Sequence, residues 1–386
     1  MPLFSNAFTV FRLAGFDVRV DPSWLLIVTL IVWSLSQGYF PLSVPDQTGE
    51  TYLLLAIFGA LGFFGSLVLH ELAHSLVARR LGVKIKGITL FVFGGVAELE
   101  SEPKTAGAEF WIAVVGPVTS FALAFGFWLA GALAQLLLTS NVVPALFSYL
   151  AFVNLLLAVF NMFPAFPMDG GRVYRALLWN KSGDLLDATR RASHLGTMIA
   201  YGLIGLGILS LMSGQGIGAL WLIFIGFFVL ASAKAAYQQT RITAGLKGKT
   251  VRDLMTSTPR CVRPDQTLEE LVDETMLPYR TSFVPVLRRD KLLGYVDGEI
   301  IQQTDRDTWA STLVGDVLVP VDQSNAVAPD LALGDFLTRI TKEKRRKYLV
   351  VRDGTLLGVI TLADLIDYIG LLNALGPDAT HGDPHA

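Results

Sequence analysis

The stretch Thr51–Arg80, TYLLLAIFGALGFFGSLVLHELAHSLVARR, decides the fold of this 386-residue chain. Its first 19 residues carry no charged side chain, and about 20 apolar residues in a helix can cross the roughly 30 Å hydrocarbon core of a bilayer. His70, Glu71 and His74 then follow within five residues. A charged group in a membrane helix costs about 2.5–3.5 kcal/mol on insertion scales, so this cluster indicates a functional site rather than a structural accident.

The composition extends the membrane interpretation to the first two thirds of the chain. Hydrophobic residues make up 52% of the sequence and charged residues 17%, against about 25% charged in an ordinary globular protein. The net charge of −2 argues against a nucleic-acid binder, because no basic excess is available to neutralise phosphates. The six predicted spans are Trp24–Phe40, Tyr52–Ala78, Gly107–Leu138, Val143–Phe163, Leu195–Met212 and Ile217–Ala233.

The distribution of charge divides the chain and orients it. We expect a membrane domain at residues 1–243, a globular domain at 244–374 and a disordered tail at 375–386. Lys and Arg follow the second, fourth and sixth spans, whereas the opposite loops contain neither. Because cytoplasmic loops are enriched in Lys and Arg, both termini of this multi-pass membrane protein are predicted to be cytoplasmic.

The segment Val83–Glu98, VKIKGITLFVFGGVAE, differs from the spans. It is rich in β-branched and aromatic residues and is interrupted by Gly94 and Gly95. This pattern is typical of a β-hairpin. We expect the hairpin to lie at the membrane surface and to pack against the helices, with the extended-looking Thr9–Val20 beside it.

Two histidines four residues apart on a helix project from the same face, where both imidazoles can bind one zinc ion. His70 and His74 have this spacing, and Glu71 beside them is suited to act as a general base toward an attacking water. The single cysteine, Cys261, excludes a cysteine-based zinc cluster. The remaining ligand is therefore expected to be a further His, Asp or Glu.

Asp169 is the expected third ligand, because the fourth span returns the chain to the side on which His74 lies. Pro164, Pro167, Gly170 and Gly171 break the helix around it, and irregular backbone at membrane depth is tolerated where it lines protein or a wet cavity. A simple helix-terminal turn remains an alternative for Asp169. An interhelical hydrogen bond remains an alternative for Asn161, which ends the same span.

Together these features resemble the site-2 protease family of zinc intramembrane proteases. The resemblance covers the HExxH motif, the FGG sequence at residues 93–95, Gly116-Pro117 and the segment from Asn161 to Asp169. It implies zinc held by His70, His74 and Asp169, Glu71 as base, and Asn161 near the reacting carbonyl. It also implies cleavage of a substrate's transmembrane helix.

Such a substrate must unwind before water can attack, and an exposed strand edge can receive the released segment. We therefore assign Gly94 and Gly95 to substrate binding. A plain bulge or turn is the alternative for these two glycines.

The C-terminal part contains a loose internal repeat of helices and short apolar strands, and it resembles a tandem pair of cystathionine β-synthase (CBS) domains over Val251–Gly370. CBS pairs are similar to adenine-nucleotide sensors, which implies nucleotide contacts at Thr361 and Asp364. A helix cap is the alternative for these two residues. The first repeat has Asp297 and Ile300 at the matching positions, so one competent site is expected.

The expected fold is therefore a polytopic α-helical membrane protein of about six transmembrane helices with a membrane-associated β-hairpin, followed by an α/β tandem CBS domain. The expected function is intramembrane zinc endopeptidase activity on transmembrane protein substrates, in the plasma membrane of a prokaryote. The CBS pair would regulate it through nucleotide-dependent movement or homodimerisation. The alternative is a CBS-regulated ion channel or transporter, whose buried ionisable groups would line a permeation path.

Overall fold

The computed structural model of the protein describes residues 7–91, 94–99, 103–214, 216–343 and 345–374. The chain divides into two compact units, of which the first ends at Gln238 and the second begins at Gln239. The expected division between residues 243 and 244 stays a prediction and falls inside a helix. The expected tail at 375–386 lies outside the described residues.

Helices dominate the first unit. Six of them, among the described residues, are long and apolar enough to cross a membrane, which confirms the predicted polytopic fold. The first span combines α1 (Ser23–Ser34), a π-helical turn (Leu35–Tyr39) and α2 (Phe40–Ser43). The remaining helices are α3 (Gly49–Arg80), α4 (Ala106–Leu137), α5 (Val142–Asn161), the short α6 (Asp169–Ser182), α7 (Leu185–Met212) and α8 (Gly216–Leu246).

A four-stranded sheet accompanies the helices. Its strands are β1 (Phe8–Leu13), β2 (Phe16–Val20), β3 (Ile85–Phe91) and β4 (Gly94–Leu99), in the order β1-β2-β3-β4. Strands β3 and β4 form the predicted hairpin, and β2 pairs in parallel with β3. Val18 and Leu90 of the sheet pack against Leu67 of α3, so the sheet lies on the helix that carries the histidines. Association of the hairpin with the membrane surface remains a prediction.

The turn between α5 and α6 explains the sequence Asp169-Gly170-Gly171. A Cβ atom on Gly170 would lie 2.2 Å from the carbonyl oxygen of Met162, and one on Gly171 would lie 2.5 Å from the carbonyl carbon of Ala165. Only glycine permits the returning chain to cross so close to the start of α6. The Phe166–Pro167 peptide within this turn is cis.

Small residues bring α7 and α8 together as an antiparallel pair. A Cβ on Gly207 would lie 2.6 Å from Ile223 Cγ1, and at the other end a Cβ on Gly196 would lie 3.3 Å from Ala233 Cβ. Small residues let the helix backbones approach closely. Inside a membrane this matters because van der Waals packing, and not the hydrophobic effect, holds neighbouring helices together.

The second unit is an α/β structure, as expected for the tandem repeat. Its helices are α9 (Val251–Leu254), α10 (Leu268–Glu270, continued by a π-helical turn), α11 (Gly298–Gln303), α12 (Val314–Val317), α13 (Leu333–Glu343) and α14 (Leu362–Ala374). Its strands are β5 (Phe283–Arg288), β6 (Lys291–Asp297), β7 (Val319–Pro320), β8 (Ala326–Val327), β9 (Lys347–Arg352) and β10 (Thr355–Thr361). They form two three-stranded sheets with the strand orders β5-β6-β7 and β10-β9-β8.

The two halves of this unit repeat the same order of elements. In each half an antiparallel strand pair leads directly into a helix, as β5, β6 and α11 do first and β9, β10 and α14 do second. Each half has its own apolar core, with Val284 and Val296 buried in the first and Tyr348 and Ile360 buried in the second.

Candidate metal centre

Donor atoms of His70, His74 and Asp169 meet inside the first unit. The Nε2 atoms of the two imidazoles lie 3.1 Å apart, and Asp169 Oδ2 lies 3.2 Å from each of them. All three side chains are buried. The structure therefore brings together the three residues that the sequence analysis named as ligands, two from α3 and one from the start of α6.

This donor set fits a zinc ion. Zinc takes His nitrogen at about 2.0–2.1 Å and carboxylate oxygen at about 2.0–2.2 Å, so neighbouring ligands of a tetrahedral site lie roughly 3.3–3.4 Å apart. The observed separations of 3.1 and 3.2 Å are close to that value. Two imidazoles and one carboxylate also leave a fourth position for water or substrate, as catalytic zinc sites do.

Helix α4 orients both imidazoles through their second ring nitrogens. His74 Nδ1 lies 2.5 Å from the carbonyl oxygen of Ile112. Because a carbonyl oxygen only accepts, Nδ1 carries the hydrogen, which leaves the Nε2 lone pair able to bind a metal ion. His70 Nδ1 lies 2.8 Å from Ser120 Oγ. Partners of this kind fix ring orientation at metal sites and are part of the site's design.

Gly116 on α4 supplies the space that the imidazoles occupy. A Cβ atom there would lie 2.1 Å from His74 Nε2 and 2.7 Å from His70 Nε2. The sequence analysis treated Gly116 only as part of a family motif and missed Ile112 and Ser120. Their signal was a spacing of four residues, from 112 to 116 to 120, which places all three on one face of a helix.

A buried ion pair joins α4 to α6 near the centre. Arg175 Nε donates to Glu109 Oε1 at 2.7 Å, and a second nitrogen of the guanidinium donates to the same oxygen. Glu109 is 0% exposed and Arg175 is 7% exposed. From its position after the fourth predicted span, Arg175 is expected to be a cytoplasmic loop cation, and no sequence pattern singles out Glu109.

A cavity of about 450 Å³ opens beside the three donors. The residues that line it are His70, Glu71, His74, Phe91, Gly95, Ile112, Phe160, Asn161, Pro167, Met168, Asp169, Arg172, Trp221, Phe224, Ile225, Phe228 and Val229. Glu71, Asn161 and Gly95 therefore share one space with the candidate ligands. Arg172 and the apolar face of α8 complete the wall of the cavity, and no sequence pattern predicted either of them there.

The asparagines of α5 differ in their surroundings. Asn161 donates from Nδ2 to the carbonyl of Leu157 at 3.0 Å and borders the cavity. Asn154 instead donates to Ser66 on α3 and to its own helix, so it makes the interhelical contact that was the alternative for Asn161.

The two glycines of β4 are also placed differently. A Cβ on Gly95 would lie 3.0 Å from Glu71 Cγ, whereas the nearest atom to one on Gly94 is Leu67 Cδ2 at 3.9 Å. Gly94 has a φ of 132° and is not among the residues that line the cavity. Phe93 of the FGG motif lies outside the described residues.

In the second unit, Thr361 and Asp364 contact each other at the start of α14. Asp364 Oδ2 accepts from the Thr361 amide at 2.7 Å, and Thr361 Oγ1 accepts from the Asp364 amide at 3.3 Å. This reciprocal pair is a capping box, the alternative named for these residues. In the first repeat Asp297 caps α11 by accepting from Glu299 and Ile300.

Comparisons with known proteins match both the N-terminal and the C-terminal part of the chain to known families. The profile "Peptidase family M50" matches residues 58–142 and 137–205, and the profile "CBS domain" matches residues 251–299 and 314–371. Rip3 of Mycobacterium tuberculosis is 37% identical over 385 residues, which cover 97% of this chain and 96% of Rip3. Zinc metalloprotease MJ0392 of Methanocaldococcus jannaschii is 29% identical over 366 residues, which cover 94% of this chain and 96% of that protein.

A solved structure of a site-2 protease from Methanocaldococcus jannaschii is 30% identical and covers 60% of this chain and 95% of its own, with a TM-score of 0.42. The resemblances inferred from the motifs are thus confirmed along nearly the whole chain by the relative with 37% identity. This chain belongs to peptidase family M50, the site-2 proteases, as a zinc metalloendopeptidase with membrane-spanning helices and a C-terminal pair of CBS domains.

Proposed function

We propose that this protease cleaves peptide bonds in or near the transmembrane helices of membrane-protein substrates, as in regulated intramembrane proteolysis. The proposal rests on one observation. The donor atoms of His70, His74 and Asp169 lie close together in the protein interior, beside a cavity that Glu71 also lines. The histidines lie in a 32-residue helix apolar enough to cross a membrane. His70 and His74 precede Arg79 by nine and five residues, and at 1.5 Å per residue they lie about 8–14 Å along the helix from that cation.

His70, His74 and Asp169 would hold the zinc ion, with Ser120 and the Ile112 carbonyl keeping the imidazoles in place. A bound zinc ion supplies a Lewis acid that polarises a carbonyl group and favours loss of a proton from water. The apolar residues of α8 on the facing wall exclude bulk water, which strengthens electrostatic interactions within the site.

Glu71 would act as the general base. Its half-buried carboxylate borders the cavity one residue from His70. From there it can accept a proton from the attacking water and pass it to the leaving amine. A Cβ atom on Gly95 would lie 3.0 Å from Glu71 Cγ, so strand β4 passes close to this side chain.

Asn161 would stabilise the oxyanion that develops on the scissile carbonyl. Its amide nitrogen has two hydrogens, and one donates to Leu157. Asn161 borders the cavity, and its second hydrogen would lower the barrier by donating to the developing negative charge.

The edge of the sheet would receive the unwound substrate. Strand β4 is the last of the four strands, so the edge facing away from β3 has no strand partner among the described residues. Gly94 and Gly95 begin that strand, and Gly95 lies at the cavity. A substrate segment added to this edge would run past Glu71 with its backbone extended.

The CBS pair would bind an adenine nucleotide and modulate the protease. Thr361 and Asp364 lie at the start of α14, and their capping contacts leave both side chains partly exposed. Titration of ATP and AMP into the full chain tests this, with Asp364→Asn as the variant and Asp297→Asn as its counterpart in the first repeat. Absence of binding up to the millimolar range, or equal loss in both variants, contradicts the assignment. The mass of the full chain with and without nucleotide tests homodimerisation through this pair.

The protease proposal is tested by cleavage of a membrane-helix reporter by the native chain and by Glu71→Gln. We expect the variant to keep its zinc and to lose about 10²–10⁴-fold in rate, because a general base contributes that much. Glu50→Gln, which changes an exposed carboxylate on the same helix, serves as control. A Glu71→Gln variant that binds zinc and cuts at the native rate would show that Glu71 is not the general base. Reporter cleavage that survives zinc chelation contradicts a zinc-dependent mechanism.

A further inference from the structure

A second cavity lies away from the metal centre, between the polar ends of α7 and α8. Its volume is about 720 Å³, which is within the usual range of ligand sites. The residues that line it are Tyr174, Asp187, Arg190, Arg191, Ser193, His194, Leu195, Thr197, Met198, Lys234 and Tyr237. None of them takes part in the proposed catalytic steps.

The cavity is located where the apolar parts of both helices end. From Leu195 to Met212 helix α7 contains no charged residue, and helix α8 contains none from Gly216 to Ala233. Eighteen helical residues span about 27 Å at 1.5 Å each, close to the thickness of the hydrocarbon core. Gly196 packs on Ala233 at this level. The cavity therefore sits at the boundary between lipid tails and head groups.

The charge of the cavity is positive. Three cationic side chains and one carboxylate line it. Arg191 pairs with that carboxylate, Asp187, at 2.9 Å. Arg190 and Lys234 are exposed and form no ion pair with any described residue. Two uncompensated cations from two different helices thus face one space.

Ser193, whose hydroxyl group is buried, also lines this space. Ser193 is only 6% exposed, and its Oγ has no hydrogen-bond partner among the described residues. A buried donor without a partner is costly, so a ligand oxygen at this position would be favoured. Tyr174 and Tyr237 add two further hydroxyl groups to the wall.

The wall of the cavity becomes apolar toward the membrane-spanning part of α7. Leu195 and Met198 continue it on the apolar side, and Met198 is 59% exposed. A ligand that fits this arrangement is anionic at one end and apolar at the other. Free phosphate matches the cations alone, whereas a phospholipid matches both the cations and the apolar surface.

We propose that this cavity binds the phosphate head group of an anionic phospholipid, bridging α7 and α8. Arg190 and Lys234 contact the phosphate, Ser193 donates to a phosphate or ester oxygen, and the acyl chains extend along Met198. Basic pockets between transmembrane helices are known to hold such head groups.

The test is native mass spectrometry of the full chain in detergent, titrated separately with dioleoyl phosphatidylglycerol, dioleoyl phosphatidylcholine and inorganic phosphate. The native chain is expected to bind one phosphatidylglycerol more tightly than phosphatidylcholine. The double variant Arg190→Gln/Lys234→Gln should bind phosphatidylglycerol about 25-fold more weakly, at about fivefold per cation. Lys181→Gln removes an exposed cation outside the cavity and should leave binding unchanged.

Ser193→Ala provides a second measure, because it removes the buried hydroxyl without altering charge. A measurable loss of phosphatidylglycerol affinity in this variant supports the site. Three outcomes overturn the proposal: equal affinity for the two lipids, an affinity for inorganic phosphate that accounts for all of the binding, or equal losses in the double variant and in Lys181→Gln.

Discussion

The carboxylate of Glu109 on α4 accepts two hydrogen bonds from the guanidinium of Arg175 on α6, and both side chains are buried. Glu109 precedes Ile112, the carbonyl partner of His74, by three residues. Arg175 follows Asp169 by six residues. The pair therefore joins two helices that each contribute to the candidate metal centre.

Removing the carboxylate with Glu109→Ala should destabilise the membrane unit by about 3–5 kcal/mol, because the guanidinium is left buried without its partner. Unfolding of the purified protein in detergent, followed by circular dichroism, measures the change. Glu50→Ala removes an exposed carboxylate and should be almost neutral. Equal stability of the two variants would show that the ion pair does not hold the helices.

Substituting Gly116 with alanine should abolish zinc binding while the helices remain folded. The added methyl group would lie 2.1 Å from His74 Nε2, so the imidazoles must leave the positions from which they can share one ion. Metal analysis of the purified variant measures zinc content. Gly126→Ala on the same helix meets no atom within 4 Å and is the matched control. Full zinc occupancy in Gly116→Ala would contradict the proposed ligand geometry.

Ser120→Ala should weaken zinc affinity by about 10–100-fold, the usual effect of losing a hydrogen-bond partner of a metal-bound histidine. Competition with a fluorescent chelator gives the affinity directly. Thr119→Ala removes a neighbouring hydroxyl that bonds only to its own helix, at Val115, and controls for loss of a hydroxyl on α4. The interpretation fails when the two variants have the same affinity.

Both termini are expected on the cytoplasmic side of the membrane, because Lys and Arg cluster in the loops on that side. A fluorescent protein fused after Ala386 should fluoresce in cells. Alkaline phosphatase inserted at Ser140, between α4 and α5, should be active outside the cytoplasm. The reverse pair of results would invert the topology, and mixed results would contradict three spans between Ser140 and the C-terminus.

The sequence predicted those features that depend on local pattern. Uninterrupted apolar segments identified the six spans, and the four-residue spacing of His70 and His74 placed both rings on one helical face. Asp169 could be paired with them because loop charges determine the side to which each span returns. The helical context therefore reduced the number of candidate partners for the histidines to very few.

Features that depend on which helices touch could not be predicted in this way. Every residue offers a backbone carbonyl, so no pattern distinguishes that of Ile112 as the partner of His74. Arg175 follows a predicted span, where a cation is expected to lie in a cytoplasmic loop. In the structure its guanidinium instead donates to the buried carboxylate of Glu109. Gly116 is informative only once the distance between α3 and α4 is known.

The crossing of Gly170 and Gly171 beneath the turn at Met162–Ala165 has a mechanical consequence. Because backbone atoms approach closely there without intervening side chains, we expect the end of α5 and the beginning of α6 to move together. The amide of Asn161 and the carboxylate of Asp169 would then keep their spacing. Any widening of the cavity would come from the opposite wall, where Phe224 and Phe228 belong to one helix, α8.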